Sequence, residues 1–533
     1  MTDFQHPHLT PQMLAQRAVQ QGSDRALQHV DGSVLCWNEA YQDALHWADA
    51  LERLGAIAGK PVVTIFSNSF DAYRSWLGCG WLGAIEAPIN TNYKGDWLRH
   101  VISNTGAEIV LTEARFAQSV FDIADQLSDV KQCVVFGTLD SVPPSSLPFR
   151  VLSAEEFLQS AAVRERAEPS PWDISSLIYT SGTTGRSKAV MVPWRQLQSS
   201  LDSGMIPRDR LHETGLYSPY PVFHVTGKAG FYYATVYGNP TVIREAFSPA
   251  DFWADIRTHA PNGTVLLGPL AQMMLDQPAQ PNDADNPLRT VVMAPVIADV
   301  DAFRSRFNVD VFTTYNMTEI NCPIVSSPAA CTGANYKSCG TVRDGVEVRI
   351  VDEHDIEVPV NTPGEMIVRG EPWELNAGYW NMPEKTSEAW RNGWFHTGDA
   401  FTYDENGNYY FVDRAKDYIR RRGENISSFE VESIVNQYPA IAECGAAAVP
   451  AEEGEDEVKI AVVLVPDADF DPAELMGFLA TRMPRFAIPR FVEIWDGLPK
   501  TEATARIQKA KIRESGVTAK TWDRIKAGVK LPR

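Results

Sequence analysis

Cysteine is scarce. The chain has seven in 533 residues (Cys36, Cys79, Cys133, Cys322, Cys331, Cys339 and Cys444), an odd number with no CxxC pair. Neither a disulfide lattice nor a structural zinc site is expected, and the thiols read as free and buried. Positive charge is also in deficit: 48 Lys+Arg against 68 Asp+Glu leave a formal net charge of −20. Such a balance disfavours a sequence-independent grip on nucleic acid or on an anionic membrane. No apolar run approaches the roughly 20 residues that cross a bilayer. Residues 1–11 lack a basic segment followed by an apolar one, so a soluble, cytoplasmic protein is expected. Short repeats and low-complexity tracts are missing too. What is present is 44% hydrophobic residues, enough for about three or four folding units at roughly 100 to 200 residues each.

From about residue 27 to 269, short β-branched runs (61–66, 87–89, 108–112, 132–136, 176–179) alternate with amphipathic stretches such as 72–82. That alternation predicts βαβ units and parallel sheets covered by helices. Residues 138–170, richer in Pro, Ser and Glu, read as a connection. After Tyr336 come short strands with turn residues between them (345–351, 364–370, 408–413), the pattern of a β-rich subdomain at about 337–416. From about residue 417 a compact α+β unit follows, with strands at 446–449, 459–465 and 491–494 and a helix near 472–483. The expected fold class is α/β: a large N-terminal body of parallel sheets with helices (1–416, including the β-rich subdomain), and a small mobile α+β C-terminal domain (417–533).

The most informative run is Tyr179-Thr-Ser-Gly-Thr-Thr-Gly-Arg-Ser-Lys188. Thr180, Ser181, Gly182, Thr183, Thr184 and Gly185 combine hydroxyl donors with glycines that let backbone N–H groups approach phosphate oxygens, while Arg186 and Lys188 add positive charge. The GxxxxGK[ST] spacing is absent, and the apolar Ala189-Val-Met-Val192 predicts a strand after Lys188 where a P-loop would continue into a helix. By composition alone, a Gly/Thr/Ser hairpin with no ligand fits equally well.

With its neighbours, this run resembles the phosphate loop YTSGTTGxPKG of the adenylate-forming superfamily, which comprises acyl-CoA synthetases, luciferases and peptide-synthetase adenylation domains. Here Ser187 stands for the proline and Ala189 for the last glycine. Further matches follow in the same order: Pro221-Val-Phe-His224, Tyr315-Asn-Met-Thr-Glu319, Gly364-Glu365, Trp394-Phe-His-Thr-Gly-Asp399, Asp413-Arg-Ala-Lys-Asp417 and Gly423-Glu-Asn-Ile426. The ending Gly516-Val-Thr-Ala-Lys-Thr-Trp-Asp-Arg524 looks like the carnitine/crotonobetaine-CoA ligase branch.

The resemblance implies that ATP or a preformed acyl-AMP, Mg²⁺ and coenzyme A are used to join a carboxylic acid to a thiol. Attack of a carboxylate on the α-phosphorus builds negative charge that hydroxyls, cations and a metal stabilise. Thr318 is then expected on the AMP phosphate and Glu319 on Mg²⁺. Tyr315 would stack on adenine, with Asn316 in place of the usual glycine. Asp399 is expected to accept the ribose hydroxyls, with Arg414 as a second contact. Taken alone, the Thr-Glu pair would be a helix cap and Asp399 an Asx turn. His224 would gate the path between carboxylate pocket and thiol tunnel, and Lys416 would be the pivot of a rotating C-terminal domain. Gly423 would line a narrow channel for pantetheine, and Arg420, Arg421 and Arg422 would contact CoA phosphates, or be solvated or locally paired. The acyl pocket is expected from Phe223, Lys228, Ala229, Gly230, Ala294 and Pro295, whose small residues suit a bulky, largely apolar acid of specialised metabolism; Lys228 would suit a polar one.

The chain departs from the pattern near its end. Where the family reads PKTxxGK, this sequence reads Pro499-Lys-Thr-Glu-Ala-Thr-Ala-Arg506, with arginine for the catalytic lysine and a loop one residue longer. A planar guanidinium does not reproduce an ammonium point charge, and positioning tolerates shifts of only about 1 Å. Adenylation is therefore expected to be impaired, with the acyl-AMP made by a separate adenylating enzyme. An ordinary ligase in which Arg506, Lys500 or Lys509 serves is the alternative. A carrier-protein loader and a degenerate adenylate-binding regulator are further ones. No nucleic-acid or membrane partner is expected, and a homodimer is the default oligomer.

Overall fold

The computed structural model describes residues 9–140, 143, 145–180, 187–202, 204–206, 210, 215–326, 330–414, 418–421, 424–450, 456–499, 507 and 509–531. Two seven-stranded sheets form the heart of the N-terminal body. The first runs, edge to edge, Asp310–Phe312, Thr290–Ala294, Gly263–Leu267, Leu216–Ser218, Thr241–Ile243, Arg25–His29 and Val34–Cys36. All pairs are parallel except the last. The second runs Arg150–Ser153, Gln132–Phe136, Ile109–Glu113, Pro61–Ile65, Ile85–Pro88, Ile174–Thr180 and Lys188–Pro193, again parallel up to a final antiparallel pair. Lys188–Pro193 is a strand, as its apolar β-branched run predicts, so the phosphate-loop segment joins two antiparallel neighbours and does not open a helix.

The helices Trp37–Arg53, Phe70–Leu82 and Val225–Tyr237 contribute to one core with side chains from both sheets. Trp76 stacks on Trp194 with ring centroids 5.3 Å apart. A Cβ on Gly80 would lie 2.6 Å from the Trp194 ring, so only glycine lets that ring close over the helix. Burying each such aromatic contributes roughly 2–3 kcal/mol.

Residues 138–170 are not a bare connection. Arg150–Ser153 pairs with Gln132–Phe136, and the short helix Ala154–Leu158 starts at a reciprocal cap in which Ser153 Oγ accepts from the Glu156 N–H and Glu156 Oε2 accepts from the Ser153 N–H. The Ser-x-x-Glu spacing was present in the sequence, but the apolar run beside it is too short to stand out.

A third, antiparallel sheet runs Thr314–Met317, Asn321–Val325, Ser338–Val342, Tyr409–Arg414, Trp394–Tyr403, Gly364–Gly370 and Val346–Val351. It takes in Thr314–Val325, ahead of the change in character after Tyr336. The C-terminal part has a hairpin, Tyr418–Arg421 with Glu424–Ser427, and a four-stranded sheet of Ile441–Pro450, Asp456–Leu464, Phe491–Ile494 and Trp522–Asp523. It is docked on the second sheet's helices: Ile419, Ile426 and Val431 share one buried cluster with Ile89, Tyr93 and Trp97. Among the described residues no helix is long and apolar enough to cross a membrane.

Candidate active site

The parallel strands of the first sheet deliver their carboxyl ends to one edge, where ligands of open α/β sheets bind. Leu216–Ser218 leads to His224, Gly263–Leu267 to Gly268, and Thr290–Ala294 to Pro295, with Leu267 and Ala294 in register. Asp310–Phe312 passes directly into Thr314–Met317 and hence to Tyr315.

Lys188 lies opposite Thr180, at the base of the phosphate-loop segment, of which residues 181–186 lie outside the described residues. Its ammonium sits over the Tyr379 ring, 4.1 Å from the centroid. The Tyr379 hydroxyl donates to Glu319 Oε1 at 3.1 Å. Burial lowers the Lys188 pKa, while the nearby Glu319 carboxylate opposes that fall. Burial also raises the Tyr379 phenol, and the adjoining carboxylate adds to the effect, so the phenol stays protonated as the donor. Thr318 and Glu319 occupy the tight turn between Thr314–Met317 and Asn321–Val325, not a helix start. Gln196 Nε2 donates to the Thr318 carbonyl, and Asn376 donates through backbone and side chain to the Glu319 carbonyl. Among the described residues no three His, Cys, Asp or Glu gather as a metal cage. A divalent ion here would be held by Glu319 and by phosphate oxygens of its nucleotide, the usual mode for Mg²⁺, and would neutralise charge developing on them.

Tyr315 and Asp399 meet: the phenol donates to Asp399 Oδ2 at 2.7 Å, and both are buried. Asp399 lies within Trp394–Tyr403 with Arg414 as its cross-strand partner. Glu365 on the adjacent strand braces this stretch, accepting from the Gly398 N–H at 3.0 Å and contacting His396 Nδ1 at 3.0 Å. Gly398 has a φ of 72°, a conformation that favours glycine. Asn316 is exposed.

His224 precedes the first turn of Val225–Tyr237, its ring edge-on to Phe223 at 4.8 Å. Burial pushes the imidazole down to about 4, so it is neutral at physiological pH. Ala229 packs beside the Tyr232–Tyr233 cluster and Ala294 is half-buried, with Pro295 exposed. Two residues expected in the acyl pocket face elsewhere. Lys228 is fully buried and ion-paired with Glu86, whose carboxylate also accepts from Ser176 and Thr64. Gly230 presses on the sheet, where a Cβ would meet Thr241 Cγ2 at 2.8 Å. The helix is buried on more than one side: Lys228 packs toward Glu86 of the second sheet and the Trp76 ring, and Gly230 packs toward Thr241 and Ser218 of the first sheet.

At the seam with the C-terminal part, Ser187 donates from its N–H (2.6 Å) and its hydroxyl (2.8 Å) to Glu430 Oε1. Glu424 is half-buried at the same junction, and desolvation raises its carboxyl to about 7. Arg421 does not present itself to a phosphate. Its guanidinium is buried, bonded to the Phe486 and Ile488 carbonyls and paired with Glu457 at 2.7 Å. Lys509 is likewise engaged, with Glu432 at 2.9 Å and the Ser428 hydroxyl at 2.7 Å, which anchors the segment just after the Arg506 loop. Lys416, Arg422, Gly423, Lys500 and Arg506 lie outside the described residues, as do the side chains of Arg414 and Arg420.

Tyr379 was not singled out in the sequence. Its signal was the run Gly378-Tyr-Trp-Asn381, with Gly378 at a φ of 106°.

The model of the AMP-binding enzyme family matches residues 14–380, and that of the AMP-binding enzyme C-terminal domain matches 430–504. Crotonobetaine/carnitine–CoA ligase of Salmonella paratyphi A is 28% identical over 472 residues, which is 87% of this chain and 90% of that protein. Among solved structures, the amide bond synthetase McbA from Marinactinospora thermotolerans has a TM-score of 0.80 at 23% identity, covering 94% of this chain and 99% of its own. A double mutant of o-succinylbenzoate CoA synthetase (MenE) from Bacillus subtilis, bound with its product analogue OSB-NCoA, also reaches 0.80, at 22% identity and 96% and 98% coverage.

Proposed function

The chain belongs to the AMP-binding enzyme family, and from that premise we propose that it is an acyl-CoA synthetase, joining a carboxylic acid to coenzyme A through an acyl-adenylate. The observation that carries this reading is a linked pair of subsites. Lys188, Tyr379 and Glu319 converge at the base of the phosphate-loop segment, and Tyr315, on the strand that leads into Glu319, bonds to Asp399. A nucleoside on Tyr315 and Asp399 places its α-phosphate toward Thr318, Glu319 and Lys188. In the first half-reaction the carboxylate oxygen bonds to the α-phosphorus and pyrophosphate leaves. In the second, the thiol sulfur, having lost its proton, bonds to the acyl carbon and AMP leaves. His224, kept neutral by its surroundings, lies between pocket and thiol path.

The adenylation half is the weaker one in this reading. Arg506 replaces the usual lysine, and Lys509 is held by Glu432 and Ser428, so it does not substitute. Two incubations decide: acid with Mg-ATP and CoA, and synthetic acyl-AMP with CoA. Thioester is expected in the second tube far faster than in the first. Equal rates would remove the impairment and leave an ordinary ligase; no thioester in either would remove the synthetase reading. A panel of cyclic and linear acids, presented as adenylates, identifies the acyl group.

A further inference from the structure

Ser187 is buried, and each of its polar atoms is engaged. Its carbonyl meets His100 Nε2 at 3.0 Å, and its side chain bonds with the Tyr93 phenol. Its N–H and its hydroxyl both donate to one oxygen, Glu430 Oε1. Glu430 is itself buried and lies in the helix Ser428–Val435. One residue thus ties together the end of the phosphate loop, the helix Gly95–Thr105 that carries His100, and the C-terminal domain. Proline, which stands at this place in the loop that the sequence resembles, has neither N–H nor hydroxyl and could make neither bond to Glu430.

The same helix separates two tasks by its faces. Successive positions turn by about 100°, so Ser428 and Glu432 share a face and Glu430 lies on the other. Glu430 meets the phosphate loop, whereas Ser428 and Glu432 hold Lys509. Ile507, next to Arg506, is seated in the C-terminal sheet, where a Cβ on Gly445 would lie 3.1 Å from its Cγ2. The docked arrangement therefore brings the hairpin of Tyr418–Arg421 and Glu424–Ser427 to the body, with Ile419 and Ile426 beside Tyr93 and Trp97, while the segment after Arg506 stays anchored within the C-terminal domain. The approach is close: a Cβ on Gly95 would lie 3.2 Å from the Thr481 carbonyl oxygen, and Trp97 meets Phe486 at 6.4 Å across the seam.

We propose that Ser187 is a positioning residue whose paired bonds to Glu430 clamp the phosphate loop to the C-terminal domain in the arrangement that serves thioester formation, and that both bonds part when the domain turns toward adenylation. The inference rests on the acyl-CoA reading above and deepens it, because it names the contact that biases this chain toward the second half-reaction. Ser187 touches neither the acyl carbon nor the thiol. It acts through the fraction of molecules that are docked, and each bond changes the ratio of docked to turned molecules by about fivefold.

The test combines hydrogen exchange of the full chain with the kinetics of thioester formation from synthetic acyl-AMP and CoA. Ser187→Ala keeps the N–H and loses the hydroxyl, and Ser187→Pro loses both. The first is expected to lower kcat about fivefold and the second about twentyfold. KM for acyl-AMP should stay as it is, because Tyr315, Asp399 and Lys188 belong to the body; a merely distorted loop would raise it. Amides of residues 93–98, which the docked domain covers, should exchange faster in the same order. In a double-mutant cycle, Ser187→Ala should cost less in Glu430→Ala than in the wild type. Unchanged exchange in both variants, a raised KM with kcat unchanged, or an additive cycle overturns the inference. Hydrogen exchange needs no turnover, so a wrong synthetase reading shows as absent thioester in the wild type, and a wrong clamp as unchanged exchange in the variants.

Discussion

Lys228 illustrates how a cation near a pocket can belong to the core. Its ammonium lies 4.4 Å from the Trp76 ring centroid and against Glu86, and burial pushes lysine and glutamate alike toward their neutral forms while their mutual attraction opposes it. Removing one partner leaves the other buried without its counter-charge, which costs about 3–5 kcal/mol, whereas replacing both by apolar residues of similar volume is near neutral. Lys228→Met is therefore expected to lower stability in chemical denaturation by that amount, and Lys228→Met with Glu86→Leu to recover most of it. Substrate preference among the two folded proteins should not shift. Tyr379 is the contrasting case, a hydroxyl that orients a site group. Tyr379→Phe removes one hydrogen bond to Glu319, worth about 1 kcal/mol. The expected outcome is a rise of roughly fivefold in the Mg²⁺ concentration that half-saturates adenylate formation, with the thioester step from acyl-AMP unchanged.

The helix Val225–Tyr237 carries His224 at its start, and its seating is set by Gly227. A Cβ there would lie 2.0 Å from the Pro221 carbonyl oxygen, and the Gly227 carbonyl accepts from the buried Tyr73 hydroxyl at 3.0 Å. The turn 221–227 is thus closed by backbone contacts that leave no room for a methyl group. Gly227→Ala forces that turn open and displaces the His224 ring; since positioning tolerates about 1 Å, thioester formation from acyl-AMP is expected to fall by more than tenfold. Steady-state kinetics check this, with circular dichroism to show that the helix persists. The same reasoning explains the brace on Trp394–Tyr403. Glu365 holds the Gly398 N–H and His396, so the Asp399 carboxylate sits at a fixed point of a long strand and not in a free turn.

Across the whole molecule, the seam between body and C-terminal part contains carboxylates in apolar surroundings. Glu424 faces Tyr93 near Glu430, which itself accepts from Ser187. The Glu424 carboxyl titrates at about 7 in the folded chain against an ordinary 4.5. A raised acid favours the folded state below its unfolded pKa, and that contribution is lost as pH rises through the folded value. Docking is therefore expected to be firmest in acid, below about pH 4.5, and to loosen as pH rises through about 7 and Glu424 ionises in its apolar surroundings. Hydrogen exchange at the amides of residues 93–98 should speed up over that range beyond the intrinsic pH effect, and Glu424→Gln should abolish the excess. An unchanged excess in Glu424→Gln would place the titrating group elsewhere. Loosening at this seam would serve the two-step reaction proposed above.

The linear chain was enough to establish chemistry and class. Ordered motifs pointed to the family through their resemblance, because each is a short local run, and the alternation of β-branched runs with amphipathic stretches announced parallel sheets because both periods are local too. It also showed the strand after Lys188, from its apolar run. What only the folded molecule decided was which charges remain available to a ligand. Arg421, Lys228 and Lys509 look no different in sequence from the exposed Arg485 and Lys530, yet the first three are taken by Glu457, Glu86 and Glu432, the second pair lying 142 residues apart along the chain. Charge pairing depends on distance through space and on desolvation, and neither is written in the order of residues until the chain has closed upon itself.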